Sequence, residues 1–145
     1  MKCNLDCLQS EKYFHLLFYK LLDFFFLIKL TNKIVKNELH KNDAKDYKLI
    51  CYCIMPNHVH LIFYLLEKSR SVSKFMQAIK RVSAYYANLE LGKKGSFWQA
   101  ESFDHIVRDE DELEKLIEYT LMNPVKAGLV EDWKSWKHSY LSDSL

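Results

Sequence analysis

The stretch Leu49–Leu65, LICYCIMPNHVHLIFYL, decides the fold because it reads as two strands joined by a tight turn. Leu49–Ile54 and His58–Leu65 are rich in aliphatic and aromatic residues, as strands are. Met55–Asn57 between them carries proline and asparagine, which favour a turn. We therefore expect a β-hairpin in which His58–Leu65 is a central strand.

The rest of the chain alternates strand-like and helix-like segments. Before the hairpin, the sequence predicts a strand over Tyr13–Tyr19 and a helix from Leu21 to about Leu39. After it, the sequence predicts a helix over Ser71–Leu91, whose apolar stripe runs from Val72 to Tyr86, and a strand-like segment over Phe97–Val107. A last helix begins at Asp109 and is stopped by Pro124 and Gly128, and the tail that follows packs on the body through Trp133, Trp136 and Tyr140. Strands with interspersed helices and no linker predict a single α+β domain.

The composition narrows the class of protein. With 145 residues, 49% of them hydrophobic, the chain is long enough for one globular domain with its own core. Only three glycines are present, and neither glycine-rich phosphate-binding motif of nucleotide-binding proteins can be written. The formal net charge of +2 argues against a protein whose whole surface binds nucleic acid.

Cysteine usage and hydropathy predict a cytoplasmic protein. The four cysteines form no regular disulfide pattern, and no signal-peptide pattern is evident. Tyr13–Leu30 is about as long as a membrane span, but Lys20, Asp23 and Lys29 interrupt it. A buried strand and helix are therefore expected there, and no membrane partner.

The most informative pair of residues is His58 and His60. Side chains two apart in a strand point to the same face, so both imidazoles project together while Val59 points to the other face. Two imidazoles on a rigid strand are suited to a divalent metal ion. The same spacing also fits two histidines on a solvated strand face, and spacing alone leaves both interpretations open.

The nearby cysteines allow a different metal site. Cys51 and Cys53 precede the turn and the two histidines follow it, so a hairpin could bring all four together around a tetrahedral zinc ion. Buried cysteines in a strand are also ordinary core residues.

A second candidate group lies on the last helix. Leu113, Leu121 and their neighbours form its apolar stripe, while Tyr119 falls at the border of that stripe and Asn123 follows one turn later on the same edge. A phenol and an amide placed in this way could reach a metal site on a neighbouring strand. A border tyrosine that packs its ring and leaves its hydroxyl in water is the alternative.

Charge is unevenly distributed along the chain. Lys68–Lys94 holds seven basic residues against one acidic residue, and Glu101–Glu118 holds eight acidic residues against two basic ones. A basic helix with Tyr85 and Tyr86 close by suits a nucleic-acid backbone with stacked bases. A solvated helix face accounts for the same pattern.

The string MPNHVHLI over Met55–Ile62 resembles the HUH motif, histidine–hydrophobic–histidine, of single-tyrosine transposases in the form typical of REP-associated tyrosine transposases. Further blocks are similar to that family in order and spacing: GSFWQ over Gly95–Gln99, FDHIVRD over Phe103–Asp109, Tyr119, and NPVKAGLV over Asn123–Val130. Several separated blocks make the resemblance far more specific than the two histidines alone.

The resemblance implies a fold and a set of roles. The fold would be α+β, a ferredoxin-like antiparallel sheet with helices packed mainly on one face. Residues 1–145 would form one HUH transposase-like domain with residues 1–47 as a divergent amino-terminal part. His58, His60 and Asn123 would hold Mg²⁺ or Mn²⁺, and Tyr119 would be the nucleophile that forms a 5′-phosphotyrosine link and releases a 3′-hydroxyl.

The resemblance also implies a partner, single-stranded DNA in a hairpin-forming sequence, and it allows a homodimer. The candidate DNA-binding residues are basic and lie on the predicted helix over Ser71–Leu91 or directly after it. They are Lys74, Lys80, Arg81, Lys93 and Lys94. Where the family commonly has an arginine-rich loop, Phe18–Leu30 has no arginine. That departure motivates an alternative function, a degenerate or domesticated DNA-binding protein that does not cleave.

Overall fold

The computed structural model describes residues 13–20, 28–66 and 71–143. The elements are β1 (Tyr13–Lys20), α1 (Ile28–Lys41), β2 (Tyr47–Ile54), β3 (His58–Leu65), α2 (Val72–Leu91), β4 (Trp98–Ile106), α3 (Glu110–Lys126), a 3₁₀ turn (Trp133–Ser135) and β5 (Ser139–Leu141).

The strands form one sheet in the order β4-β1-β3-β2-β5, and every neighbouring pair is antiparallel. β1-α1-β2-β3-α2-β4 with the strand order 4-1-3-2 is the ferredoxin-like arrangement, and β5 extends it beside β2. The predicted fold class is thereby confirmed. β3 lies at the centre of the sheet, as its apolar run indicates.

One face of the sheet carries α1 and α2 over the larger, predominantly apolar core. Leu16, Leu61 and Phe63 from the strands are fully buried, and Phe75 and Ile79 of α2 pack on them. α2 begins at Ser71, whose Oγ accepts a hydrogen bond from the Lys74 amide, and ends at Gly92, which has φ +60°. Left-handed backbone of this kind favours glycine as a helix terminator.

The opposite face carries α3 over a smaller core. Leu113 and Leu121 of α3 pack against Ile50, Cys51 and Ile62 of the sheet. Because strand side chains alternate between faces, this is also the face to which His58 and His60 point. Two of the three long helices thus share one face, and the third covers the histidine face.

Several element boundaries agree with the sequence and a few do not. β3 has the predicted bounds, and Asp109 caps α3 by accepting a 2.8 Å hydrogen bond from the Glu112 amide. Pro124 does not stop α3. It lies in the last turn, where a proline removes one backbone hydrogen bond without ending the helix, which continues to Lys126; Gly128 follows with φ +68°.

Two further expectations concern packing. Tyr86 is 46% exposed rather than buried, because Ser83 and Ala87 occupy the core-facing positions of that turn of α2. The tail packs on the body as expected, but its strand β5 has only three residues and too short a pattern to predict. The start of the first predicted helix, residues 21–27, lies outside the described residues.

Of the helices formed by the described residues, none combines the length and apolar character of a membrane span.

Candidate active site

His58 and His60 lie together at the start of β3, as their spacing predicts. Their ring centroids are 4.9 Å apart, and the two planes are nearly perpendicular. His60 is 3% exposed, whereas His58 is half-buried at the edge of the site. One imidazole is thus fixed within the protein while the other borders solvent.

The Nδ1 atom of each ring is engaged by a neutral partner. His58 Nδ1 lies 2.6 Å from Asn57 Oδ1, and His60 Nδ1 lies 3.3 Å from His15 Nε2. A carboxamide oxygen only accepts hydrogen bonds, so this contact is a hydrogen bond in the tautomer that has the proton on Nδ1 of His58, and that tautomer leaves the lone pair on Nε2. Metal-binding histidines use their second nitrogen in this way.

Helix α3 brings Tyr119 and Asn123 to the same place. The Tyr119 ring stands edge-on to His60, with centroids 5.5 Å apart, and the Asn123 side chain lies beside the His58 imidazole while its Nδ2 donates to the Tyr119 carbonyl at 3.1 Å. Tyr119 is 46% exposed, so the residue is accessible to a ligand. The Lys126 ammonium lies 4.8 Å from the centre of the Tyr119 ring.

Helix α3 is held in place at its amino end and in its middle. At its amino end, Glu112 accepts hydrogen bonds from the Arg108 amide at 2.7 Å and bonds His105 of β4 at 3.0 Å. In its middle, the buried Leu121, next to the buried Thr120, packs against Cys51 of β2. The helix is therefore held in place before Tyr119, at Glu112, and after it, at Leu121. These contacts fix the position of the Tyr119 side chain relative to the sheet.

The histidines of this site are neutral at physiological pH. Burial lowers the pKa of His60 to about 3, helped by the neighbouring His58 and His15. Burial also lowers the pKa of His58 and of His15. Neutral imidazoles offer lone pairs to a cation. Because the rings carry no positive charge, they do not repel it.

The turn that precedes His58 is fixed by polar residues beneath it. The buried Lys20 ammonium donates to Asn32 Oδ1 at 2.7 Å and to the Met55 carbonyl at 3.2 Å, and the Lys20 amide donates to the Asn57 carbonyl at 2.8 Å. Burial lowers the pKa of Lys20 to about 8. From the other side, Trp136 Nε1 donates to the Ile54 carbonyl at 3.2 Å.

The donor set fits a divalent cation. Two neutral imidazoles and one carboxamide converge here, and the described residues include no group of three or more histidine, cysteine or acidic side chains placed to hold a metal. A cation bound by His58, His60 and Asn123 would therefore keep positions for other oxygen ligands.

The alternative prediction of a zinc site formed by Cys51, Cys53 and the two histidines is wrong. Cys51 and Cys53 are both free and buried, and neither belongs to a metal-binding group within the described part of the chain. Burial raises the pKa of Cys53 to about 11 and that of Cys51 further, which opposes the thiolate form that zinc requires. Both are core residues of β2.

The five basic candidates do not gather around Tyr119. Lys74 and Arg81 lie on α2, which covers the sheet face opposite the histidines, and both are exposed. Lys80 Nζ donates to Ser102 Oγ and to the Gln99 carbonyl at the edge of β4. Lys93 and Lys94 are exposed in the loop after α2. Their part in DNA binding stays a prediction.

Several residues of the site were not singled out from the sequence. His15, Asn57, Lys20 and Asn32 reach it from β1, the turn and α1. The alternation of β1 places His15 on one face with Tyr13, but only the register between β1 and β3 shows that this face meets His60. His105 bonds Glu112 at 3.0 Å and so links β4 to α3.

A ferredoxin-like sheet with two strand histidines facing a helix tyrosine defines a class of protein, the transposases related to IS200. The model of the family described as "Transposase IS200 like" matches residues 22–121, and the chain belongs to this family.

Within the family, the similar curated proteins are of the REP-associated tyrosine type. The chain is 28% identical over 102 residues to a putative REP-associated tyrosine transposase of Haemophilus influenzae, covering 64% of this chain and 58% of that protein. It is 24% identical over 95 residues to the REP-associated tyrosine transposase of Escherichia coli, covering 66% and 54%. The chain thus spans little more than half the length of these relatives.

Solved structures show the same fold. A REP-associated tyrosine transposase bound to a REP hairpin superposes with a TM-score of 0.74 at 18% identity, covering 92% of this chain and 87% of that one. A putative transposase from Deinococcus radiodurans superposes with a TM-score of 0.52 at 18% identity, covering 83% and 98%.

Proposed function

We propose that this protein is a metal-dependent strand transferase that cleaves single-stranded DNA through a covalent link between Tyr119 and a 5′-phosphate. The observation that carries the proposal is the 5.5 Å separation of the centroids of the Tyr119 and His60 rings, with Asn123 beside His58. A nucleophile next to a cation-binding group is what phosphoryl transfer requires.

The chemistry is a reversible exchange of one phosphate ester for another. The Tyr119 oxygen attacks the scissile phosphorus, a phosphorus–tyrosine bond forms, and the bond to the 3′-oxygen breaks. The phenolic proton is lost to solvent, and the leaving 3′-oxygen takes up a proton to become a hydroxyl. In the reverse direction a 3′-hydroxyl attacks the phosphotyrosine and Tyr119 is freed, which rejoins two strands.

His58, His60 and Asn123 would hold Mg²⁺ or Mn²⁺. When bound, the cation supplies charge neutralisation on the phosphate oxygens and polarises the scissile phosphate. Burial lowers the pKa of His60 to about 3 and also lowers the pKa of His58. Both rings are therefore neutral, which suits them to this role. Lys126, 4.8 Å from the Tyr119 ring centre, adds a positive charge beside the phosphate position.

The proposed substrate is single-stranded DNA that forms a hairpin. A solved relative of the same fold is bound to a REP hairpin, which supports this choice of partner. The basic residues on α2 and in the loop after it would contact the backbone away from the tyrosine.

The test is covalent capture of labelled DNA. The protein is incubated with hairpin-forming single strands and Mn²⁺, and protein-linked label is separated on a denaturing gel. We expect an adduct with the parent and none with Tyr119→Phe, which keeps the ring and removes the nucleophilic oxygen. Tyr85→Phe is the matched control, because Tyr85 is 63% exposed on α2 and lies on the other sheet face.

Three outcomes are decisive. Loss of the adduct in Tyr119→Phe and not in Tyr85→Phe supports the proposal. An adduct at the parental rate in Tyr119→Phe rules out Tyr119 as the nucleophile. Binding of the hairpin by parent and variant, with no cleavage by either, supports a DNA-binding protein without cleavage.

A further inference from the structure

The contact between His15 and His60 is the part of the site that the proposed chemistry leaves without a role. His15 Nε2 lies 3.3 Å from His60 Nδ1, and the two rings are parallel with centroids 5.6 Å apart. Both side chains are buried, at 6% and 3% exposure. A buried contact between two imidazoles requires that one nitrogen carry a proton and the other offer a lone pair.

We propose that His15 is a positioning residue: it accepts a hydrogen bond from Nδ1–H of His60 and thereby keeps Nε2 of His60 unprotonated for the metal ion. The inference rests on the proposed function for the identity of the ligand site. The arrangement of hydrogen bonds in the protein itself can be measured without metal or DNA.

The neighbouring histidine supports this assignment of the proton. Asn57 Oδ1 lies 2.6 Å from Nδ1 of His58, and it accepts a hydrogen bond there in the tautomer that leaves Nε2 of this more exposed ring unprotonated. If His60 has the same tautomer, both rings present the same atom to one cation. If His15 were the donor instead, the proton of His60 would sit on Nε2 and block coordination.

The backbone explains why His15 reaches His60 rather than the residue directly opposite. Leu17 is the cross-strand partner of His60, and His15 pairs with Ile62, so the two histidines are diagonal neighbours on one sheet face. Diagonal neighbours in a sheet are within reach of ring side chains. β1 contributes no other polar side chain to His60 among the contacts of the described residues.

A neutral acceptor has a chemical consequence. Histidine ligands often donate to a carboxylate, which adds negative charge next to the metal. Here both acceptors, His15 and Asn57, are uncharged. The residues behind the two imidazoles would therefore not offset the positive charge of a bound cation, and this charge would be available to neutralise the DNA phosphate.

The variants separate hydrogen bonding from packing. His15→Gln retains an acceptor that can reach the Nδ1 position of His60, whereas His15→Leu fills the space without one. His40→Leu is the control, because His40 lies on α1 and its imidazole contacts the Tyr52 hydroxyl rather than His60. Thermal unfolding is recorded for every variant, so that loss of fold is recognised.

The first measurement is the tautomer of His60, from nitrogen-15 NMR of the ring in metal-free protein at pH 7. The His60→Gln spectrum identifies its signals among the six histidines. We expect a protonated Nδ1 in the parent, in His15→Gln and in His40→Leu, and a shift of the proton to Nε2 in His15→Leu. A parent with the proton on Nε2 overturns the proposal even if His15→Leu does not fold.

The second measurement is Mn²⁺ affinity by calorimetry, without DNA. Loss of such a supporting hydrogen bond weakens metal binding roughly 10- to 100-fold, and we expect this for His15→Leu alone. Equal affinity and an unchanged tautomer in a folded His15→Leu overturn the proposal. A parent that shows the expected tautomer and binds Mn²⁺ but forms no DNA adduct contradicts the proposed function and leaves the role of His15 intact.

Discussion

The two faces of the sheet bury different kinds of side chain. Under α1 and α2, the strands contribute aliphatic and aromatic residues such as Leu16, Leu61 and Phe63, all fully buried. Under α3, the same strands contribute His15 and His60. The first face holds the larger core, whereas the second combines a small core with the residues that we propose bind a metal ion and react with DNA.

Strand alternation makes this division available within single elements. In β3, Val59, Leu61 and Phe63 face one core while His58 and His60 face the other side. The histidine pair thus stands on the central strand of the sheet, while the larger core packs against the same strand from the opposite face. Substitutions on the two faces should therefore affect different measurements.

The largest effect is expected from removing both histidines. The double variant His58→Ala, His60→Ala should form no covalent DNA adduct and bind no Mn²⁺, because both imidazole ligands are lost. Circular dichroism should still show a folded protein, since the opposite core is intact. Adduct formation at the parental rate would mean that the histidines are not needed for cleavage.

The apolar face should carry the stability. Phe63→Ala removes a fully buried ring that packs against Phe75 with centroids 4.7 Å apart, and it should lower the free energy of unfolding by about 3–5 kcal/mol. Tyr119→Phe, on the other face and 46% exposed, should change it by less than about 0.5 kcal/mol. Urea unfolding of both variants compares them, and equal losses would remove the distinction between the faces.

The histidine face should lose stability in mild acid. The pKa of His60 is about 3 in the folded protein, below its ordinary value, so from pH 6.5 downward the unfolded chain binds a proton that the folded chain does not. Its contribution lowers the free energy of unfolding by about 1–2 kcal/mol between pH 6.5 and pH 5.

Urea unfolding with EDTA at the two pH values measures this effect. His60→Gln should lose less stability than the parent over the same interval, because its side chain does not titrate. Identical losses in parent and variant would show that His60 is not the group responsible.

The smallest effect is expected from the basic residues outside the site. Lys74→Gln and Arg81→Gln together should weaken binding of single-stranded DNA a few-fold and lower the slope of log affinity against log salt by about 1.4, at about 0.7 for each lost contact. Fluorescence anisotropy across a salt series measures both quantities. No change in the slope would indicate that DNA does not cross α2.

The sequence predicts the fold well where a pattern is local. The two strands of the hairpin, the cap at Asp109 and the shared face of His58 and His60 each depend on a few neighbouring residues. The pairing of Tyr119 with His60 depends on the packing of α3 over β3, and the family resemblance rather than helical spacing is what indicates it.

The remaining features depend on long-range register and could not be predicted. His15 reaches His60 because β1 lies beside β3 in one particular alignment, and Lys20 is buried because α1 supplies Asn32 to it. A lysine within an apolar run reads as an interruption, and only the tertiary contacts show it as a support for the turn before His58. The basic stripe of α2 is visible in the sequence, but the sheet face that it occupies is not.

The central claim is that Tyr119 becomes joined to DNA, and peptide mapping of the adduct tests it most directly. Trypsin should release residues 116–126, LIEYTLMNPVK, in which Tyr119 is the only tyrosine. After incubation with a hairpin-forming single strand and Mn²⁺, nuclease digestion and mass spectrometry should find a nucleotide linked through its 5′-phosphate on this peptide. A nucleotide on the peptide that carries Tyr85 and Tyr86, or on the one that carries Tyr140, with none on residues 116–126, would contradict the account.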